Sequence, residues 1–527
     1  MRYLSTRGGL SFVSFEEAAT SGYAKDGGLY VPESLPLISQ EDLERWRSLD
    51  YASLAFEVLR PFILVEELDD LTLKGILKEC YADFPEEVIG VRSLPSLSVL
   101  ELFRGPTNCF KDLGLPFLVR VVAHFAGKNK EKRTLLVATT GDTGPACTYA
   151  VSKLKEDNLR VVCCYPRGMI SEYQASQMQR SERSMIISFE GGGDDMDLPI
   201  KNIQKKRKDV SGVNSYNVCR PLVQTVHFIW LRIHRPDFDI FALPTGAMGN
   251  LAAFVMASLR LPSSKKKLLA ACNKNDFTYR ALELGDVTPS ETMLKTNSDA
   301  INIQVPYNFE RVLYYAGKDK TSMRDIVYGQ EKIKKLPETT SRNLRAFGLE
   351  AASVTDEKTL KTIKKYASVD YVPDPHTAVA AAAADDKNYK ENVLIIATAH
   401  ALKFESIVRP IVGDTIYDAY LNKGPPPSQN MDTSNQHLLY QRQTNLSLAE
   451  DQRSWQANLE ALIDTESWIA PKKDHQEIDM SALPLPPTTS PPSAADDSPW
   501  SPSALILRRL LAPALLLSLA LWIIIDF

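Results

Sequence analysis

Short apolar runs recur along this chain, each followed by a polar or glycine-bearing turn and then a stretch of helical composition. Thr134–Ala138, Arg160–Tyr165, Ser184–Phe189, Phe238–Leu243, Lys267–Ala271 and Val393–Ala397 read as strands, with Leu97–Leu102 ahead of them. Helical stretches follow two of the glycine turns, over Pro145–Leu154 and Leu251–Leu259, and an Ala-rich helix opens after Pro375 with His376 near its start. Residues 1–90 are mostly helical in pattern, with amphipathic segments at Ser39–Leu49 and Tyr51–Leu59. Strands alternating with helices predict an α/β protein built on parallel sheets with helices on both faces.

The pattern changes after residue 420. From Gly424-Pro425-Pro426-Pro427 to Pro502 the chain is polar and Pro/Ser-rich, the composition of a disordered linker. An apolar run, Leu510 to Ile525, closes the sequence, flanked by Arg508 and Arg509 and containing Trp522. As a helix it reaches ~24 Å, a little short of a ~30 Å hydrocarbon core. Membrane contact through this tail and an appended stretch of no structural role weigh evenly. The expected organisation is 1–90 as an N-terminal region, 91–420 as the catalytic region, 421–503 as linker and 504–527 as a hydrophobic tail.

Composition narrows the function. With 527 residues, 44% hydrophobic and 24% charged, the chain can bury large cores in more than one domain. A net charge of −4 gives no basic excess, so nucleic acid is not an expected partner. The runs Lys205-Lys206-Arg207-Lys208 and Lys265-Lys266-Lys267 read as solvated surface. Seven cysteines, an odd count without CxxC spacing or a secretory signal, predict reduced thiols in the cytoplasm and no zinc site.

The candidate chemistry begins at Phe103-Arg104-Gly105-Pro106-Thr107-Asn108-Cys109-Phe110-Lys111-Asp112. Lys111 follows an aromatic residue in a turn-rich segment after an apolar strand, a setting that favours a nucleophilic amine able to form a Schiff base with an aldehyde cofactor. Downstream, Thr139-Thr140-Gly141-Asp142-Thr143-Gly144 and Pro244-Thr245-Gly246-Ala247-Met248-Gly249-Asn250 each join a strand to a helix, so backbone N–H groups there can hold anions. Neither is a dinucleotide fingerprint or a Walker loop. Val393 to Ala397 then runs into Thr398-Ala399-His400, a buried-strand pattern ending in a hydroxyl and an imidazole.

Taken together, these segments resemble the threonine synthase family. The resemblance rests on Tyr3-Leu4-Ser5-Thr6-Arg7-Gly8, Asp26-Gly27-Gly28-Leu29-Tyr30-Val31-Pro32-Glu33, Gly105-Pro106-Thr107 with Phe110-Lys111-Asp112, Thr140-Gly141-Asp142-Thr143-Gly144, Asn308-Phe309-Glu310-Arg311 and Asp374-Pro375-His376-Thr377. It extends to about residue 420, and Pro244 to Ala253 with Gln304-Val305-Pro306-Tyr307 is closer to the family's synthase-like subgroup. The resemblance implies a fold-type II (tryptophan synthase β-like) enzyme with two parallel-sheet domains, pyridoxal 5'-phosphate as cofactor and a phosphorylated amino acid as substrate.

Matched position by position, it implies that Lys111 carries the cofactor and that Gly246, Ala247, Met248, Gly249 and Asn250 hold its phosphate. Thr398 is placed at the pyridine nitrogen. Thr140, Gly141, Asp142 and Thr143 face the substrate carboxylate and the cofactor's phenolic oxygen, and Asn217 and Arg220 face the substrate's phosphate. The subgroup favours a phospho-lyase that gives 2-oxobutyrate, with threonine synthesis as the alternative. Arg104, Val218 and Asn302 depart from the family pattern, and they motivate a third reading in which the protein is a catalytically idle interaction or signalling protein.

Overall fold

The computed structural model describes residues 1–8, 11–178, 183–192, 195–262, 266–317, 334–423, 444–446 and 452–464. In chain order its strands are β1 (Tyr3–Ser5), β2 (Tyr30–Pro32), β3 (Gly90–Leu94), β4 (Leu97–Glu101), β5 (Arg133–Ala138), β6 (Leu159–Pro166) and β7 (Ser184–Phe189). They continue with β8 (Val210–Gly212), β9 (Ile240–Pro244), β10 (Lys267–Cys272), β11 (Leu349–Ser353), β12 (Val393–Ala397) and β13 (Thr444–Leu446).

Two sheets organise the molecule. A six-stranded sheet runs β11-β10-β9-β12-β4-β3 and a five-stranded sheet runs β13-β7-β6-β5-β8, with β1 and β2 as a separate antiparallel pair. The smaller sheet is parallel throughout; in the larger one only β3, at the edge, is antiparallel. The chain leaves the larger sheet after β4, builds β5 to β8, and returns for β9.

The unbroken apolar runs follow from burial on both faces. Alternate residues of a strand point to opposite sides. Thus Leu135, Val137, Val161 and Cys163 join the main core, while Leu136, Ala138, Val162 and Cys164 pack with Ile200 and Ile203 on the other side. Adjacent Cys163 and Cys164 therefore face apart, and all seven cysteines are buried free thiols. The N-terminal region adds Phe15, Leu54 and Phe62 to the main core and is tied to the catalytic region by an Arg7–Glu310 ion pair at 3.1 Å.

One expectation fails. Within 421–503, taken as linker, β13 pairs parallel with β7, and a helix, Gln452–Asp464, packs on the smaller sheet. Trp455, Leu459, Leu462 and Ile463 recur at helical spacing, so one face is buried against Phe189, Ile200 and Ile203. The rest of 421–503 beyond residue 423 and the tail 504–527 lie outside the described residues. Among the described residues, no helix is long and apolar enough to cross a membrane.

Candidate active site

The loops leaving β4, β5, β9 and β12 meet at a cleft of about 970 Å³, counting its open mouth. Parallel strands place their carboxyl ends on one edge, which is where ligands sit in such sheets. Lys111, Thr140, Asp142, Thr143, Arg220, the whole segment Gly246–Asn250 and Thr398 line it. Gly141 and Asn217 do not.

Lys111 sits in the 3-10 turn Phe110–Leu113. This turn is fastened to the exit of β12: the Phe110 N–H donates to the Thr398 carbonyl at 2.8 Å, and the His400 N–H to the Asn108 carbonyl at 3.0 Å. Asp112 braces the preceding loop by accepting from the Thr107 N–H (2.8 Å) and hydroxyl (2.6 Å). The setting of the amine differs from the apolar one expected, because Lys111 Nζ lies 3.6 Å from Asp142 Oδ2.

Asp142 is buried and accepts from Gln174 Nε2 at 2.9 Å. Its Oδ1 also lies 3.2 Å from Lys403 Nζ. Burial alone would raise its carboxyl, but the ammonium groups of Lys403 and Lys111 hold it well below the usual range. An ionised Asp142 would repel a substrate carboxylate, so of the two groups this segment was expected to face, the substrate carboxylate is the less suited to Asp142 itself. Thr140 and Thr143 remain on the cleft wall for such a contact.

The turn between β5 and the helix Thr143–Ser152 is partly closed on itself. Thr139 Oγ1 accepts from the Gly141 N–H at 3.0 Å and the Gly144 N–H at 3.1 Å, taking two donors that were expected to hold an anion. Gly141 has φ 129°, and a Cβ there would collide with Gln174. Its service is conformational, since the turn has no room for a side chain.

The turn after β9 is open. Met248 has φ 59°, a left-handed conformation rarely kept by a bulky side chain outside functional loops, and the helix Gly249–Arg260 starts immediately after it. First-turn N–H groups have no partner inside their own helix, and the helix dipole adds positive potential there. A Cβ on Gly246 would come within 3.1 Å of Ile301 Cα, and one on Gly249 within 2.9 Å of Ser215 Cβ, so both glycines preserve the hollow. Asn250 accepts at Oδ1 from His227 Nε2 at 2.9 Å, and its buried Nδ2 has no partner among the described residues. The donor set fits a phosphate group.

Arg220 lies in the first turn of the helix Cys219–His234 and is buried. Its Nη1 donates to the Val213 carbonyl at 2.8 Å, while Nε is buried without a partner among the described residues. Asn217 is a correction. Its amide donates to the carbonyls of Ala19 (2.7 Å) and Gly212 (3.0 Å), and its Oδ1 accepts from the Cys219 N–H (3.1 Å). It shapes the turn before the helix and does not reach the cleft. His376 lines the cleft, pairs through Nδ1 with Asp374 Oδ1 at 2.8 Å and accepts from the Ala300 N–H at Nε2 at 3.1 Å.

Arg104, Val218 and Asn302 do not line the cleft, whereas Thr140, a milder departure that keeps the hydroxyl of the family's usual serine, does. Arg104 pairs with Glu101 at 2.9 Å and with Glu87. Val218 lies in the main core. Asn302 Oδ1 accepts from Thr296 Oγ1 (2.7 Å) and Asn273 Nδ2 (2.8 Å) in a buried polar network. Sequence reasoning missed Lys403 and Gln174 beside Asp142, together with Asn214, Ser215 and Tyr307 on the cleft wall. Lys403 belongs to a segment that matches the family, Thr398-Ala399-His400 with Lys403-Phe404, but nothing local tied it to Asp142.

Family models agree with this geometry. Residues 2–81 match the threonine synthase N terminus, and residues 95–399 match the pyridoxal-phosphate dependent enzyme family. The chain is 32% identical to threonine synthase-like 2 of Xenopus laevis over 77% of its length and 90% of that protein. It is 33% identical to threonine synthase of Pseudomonas aeruginosa, again over 77% and 90%. The chain belongs to the threonine synthase family. Its fold is similar to the crystal structure of yeast threonine synthase, with TM-score 0.76, 27% identity and coverage of 88% of this chain and 99% of that one. The pyridoxal-phosphate-bound threonine synthase of Brucella melitensis gives TM-score 0.75 at 28% identity, covering 88% and 100%. The fold is therefore fold-type II, and the cofactor of this family member is pyridoxal 5'-phosphate, for whose phosphate the open turn after β9 has the right donors.

Proposed function

We propose that this protein eliminates phosphate from O-phosphothreonine or O-phosphohomoserine, consuming water and giving 2-oxobutyrate, ammonia and phosphate. The observation that carries the reading is the buried guanidinium of Arg220 on the cleft wall. Its Nε is buried with no hydrogen-bond partner among the described residues, and it lines the same cleft as the N–H groups of Gly246–Asn250. A cofactor phosphate needs one anion site; a phosphorylated substrate needs another. Against an idle protein stands the placement of Arg104, Val218 and Asn302 away from the cleft.

Each side chain has a task in this reading. Gly246 to Asn250 hold the cofactor phosphate through backbone N–H groups, and Thr398 meets the pyridine nitrogen. When bound, pyridoxal 5'-phosphate withdraws electrons from the substrate's Cα and stabilises negative charge there. Lys111 Nζ takes the Cα proton, and Arg220 holds the substrate phosphate as it departs from Cβ or Cγ. For a Cγ phosphate a Cβ proton must also be moved. Thr140 and Thr143 orient the substrate carboxylate. A threonine synthase would instead add water at Cβ and release threonine, an outcome that shares all of these residues.

The test supplies each phosphorylated amino acid separately to the cofactor-loaded protein and identifies the products by mass spectrometry. 2-Oxobutyrate from either substrate, abolished in Lys111→Ala, is the expected result. Threonine from O-phosphohomoserine would replace the lyase with a synthase, and no product from intact loaded protein would overturn the enzymatic reading.

A further inference from the structure

Lys403 is the most deeply buried ammonium beside the cleft, with no exposed side-chain surface, and the elimination chemistry leaves it without a task. It makes two hydrogen bonds and one ion pair. It donates to the Thr107 carbonyl at 2.7 Å and to Gln177 Oε1 at 2.8 Å, and it lies 3.2 Å from Asp142 Oδ1. The other carboxylate oxygen, Asp142 Oδ2, is the one that faces Lys111 Nζ at 3.6 Å. The same loop is held twice, because Thr107, whose carbonyl Lys403 grips, gives its N–H and hydroxyl to Asp112.

We infer that Lys403 is a positioning residue: it fixes Asp142 as an ionised carboxylate with one oxygen aimed at Lys111. The inference rests on the reading of Lys111 as the cofactor-bearing amine. Lys111 cannot do this holding itself, because its nitrogen is engaged whenever it carries the cofactor, whereas Lys403 is anchored to Thr107 and Gln177 throughout. A buried carboxylate that loses its cation is strongly disfavoured in charged form. The groups facing Asp142 are Lys111, Lys403, the neutral amide of Gln174 and, nearby, His376. Asp112 and Asp299 are close enough to add negative charge around Asp142, and the Cys109 thiol contacts the Asp142 carbonyl at 3.9 Å. Burial lowers the Lys403 ammonium, but the Asp142 carboxylate more than offsets this, so the pair is charged at neutral pH.

The test compares wild type, Lys403→Met, Lys403→Arg and the double variant Asp142→Asn with Lys403→Met, all as cofactor-loaded full chains. The readouts are the cofactor absorption band and the melting temperature, followed between about pH 5 and about pH 9. Retention of the band in Lys403→Met keeps the reading of Lys111; loss of the band with an intact fold would place the cofactor on Lys403 and overturn both. The expected result is an added titration in Lys403→Met, absent from wild type and from Lys403→Arg, which disappears when Asp142→Asn is introduced. If Lys403→Met does not fold near neutral pH, the double variant is expected to restore folding, since it buries no unpaired carboxylate. A Lys403→Met titration identical to wild type, an added titration that survives Asp142→Asn, or a double variant that fails to rescue folding would each overturn the inference.

Discussion

Two strand-to-helix turns of similar sequence character behave in opposite ways. Thr139–Gly144, after β5, spends two of its N–H groups on its own Thr139 hydroxyl and carries a buried anion, Asp142. Thr245–Asn250, after β9, carries no charge, places Met248 in a left-handed conformation and leaves its first-turn N–H groups facing the cleft. A glycine- and threonine-rich turn therefore does not make an anion site by composition. What decides is whether a nearby hydroxyl has already taken the donors, and the Thr139 side chain does so in one turn while Thr245 Oγ1 donates back to the Leu243 carbonyl in the other.

The sharpest way to break this contrast is to close the open turn. Gly246→Val places branched carbon against Ile301 Cα, so we expect cofactor affinity to fall by about 100-fold, equivalent to losing one or two charge-assisted hydrogen bonds. Equilibrium titration of the cofactor band measures it, and the melting temperature of the unloaded protein is expected to change far less. Arg220→Gln tests the proposed subsite for the substrate phosphate. It should lower kcat/KM for a phosphorylated substrate by about 30-fold while cofactor affinity is kept.

Opening the closed turn has a different signature. Thr139→Val strands two buried N–H groups and is expected to cost about 2 kcal/mol in a denaturant melt, with cofactor affinity little changed. The smallest effect is a matter of pH. Behind the open turn, burial pushes His227 down to about 4, from an ordinary 6.5, despite its bond to Asn250. Its folded pKa is the lower one, so the stability it contributes is complete above about pH 6.5 and drains away as pH falls toward about 4. His227→Gln should reduce the proton uptake on unfolding in that window by about one proton, measured from the pH dependence of stability.

Much of the scaffold was legible because local chemistry and burial agree. Ser184–Phe189 and Val393–Ala397 are strands with the bounds their apolar runs suggest. β11 escaped notice because Leu349-Glu350-Ala351-Ala352-Ser353 has helix-compatible composition and is a strand through its pairing with β10. The helix Gln452–Asp464 carried a readable apolar face, but the Pro-rich stretches around it set the composition of the whole region. In the cleft, Thr398 and Gly246–Asn250 were visible because each closely follows a strand, and Lys111 because of the Phe110-Lys111-Asp112 segment in its turn. Asn217 was misread because an amide that builds a turn has the same letter as one that binds a ligand. The Lys403–Asp142 contact joins positions far apart in the chain, and only folding brings them together.

That last contact also sets the decisive measurement, because two lysines, Lys403 buried and Lys111 partly exposed, flank one carboxylate at the cleft. Borohydride reduction of the cofactor-loaded protein, followed by proteolysis and peptide mass spectrometry, fixes the cofactor to the lysine that bears it. The account predicts the pyridoxyl-phosphate mass on the peptide containing Lys111 and none on the peptide containing Lys403. Label on Lys403, or on any lysine outside the cleft, would contradict it.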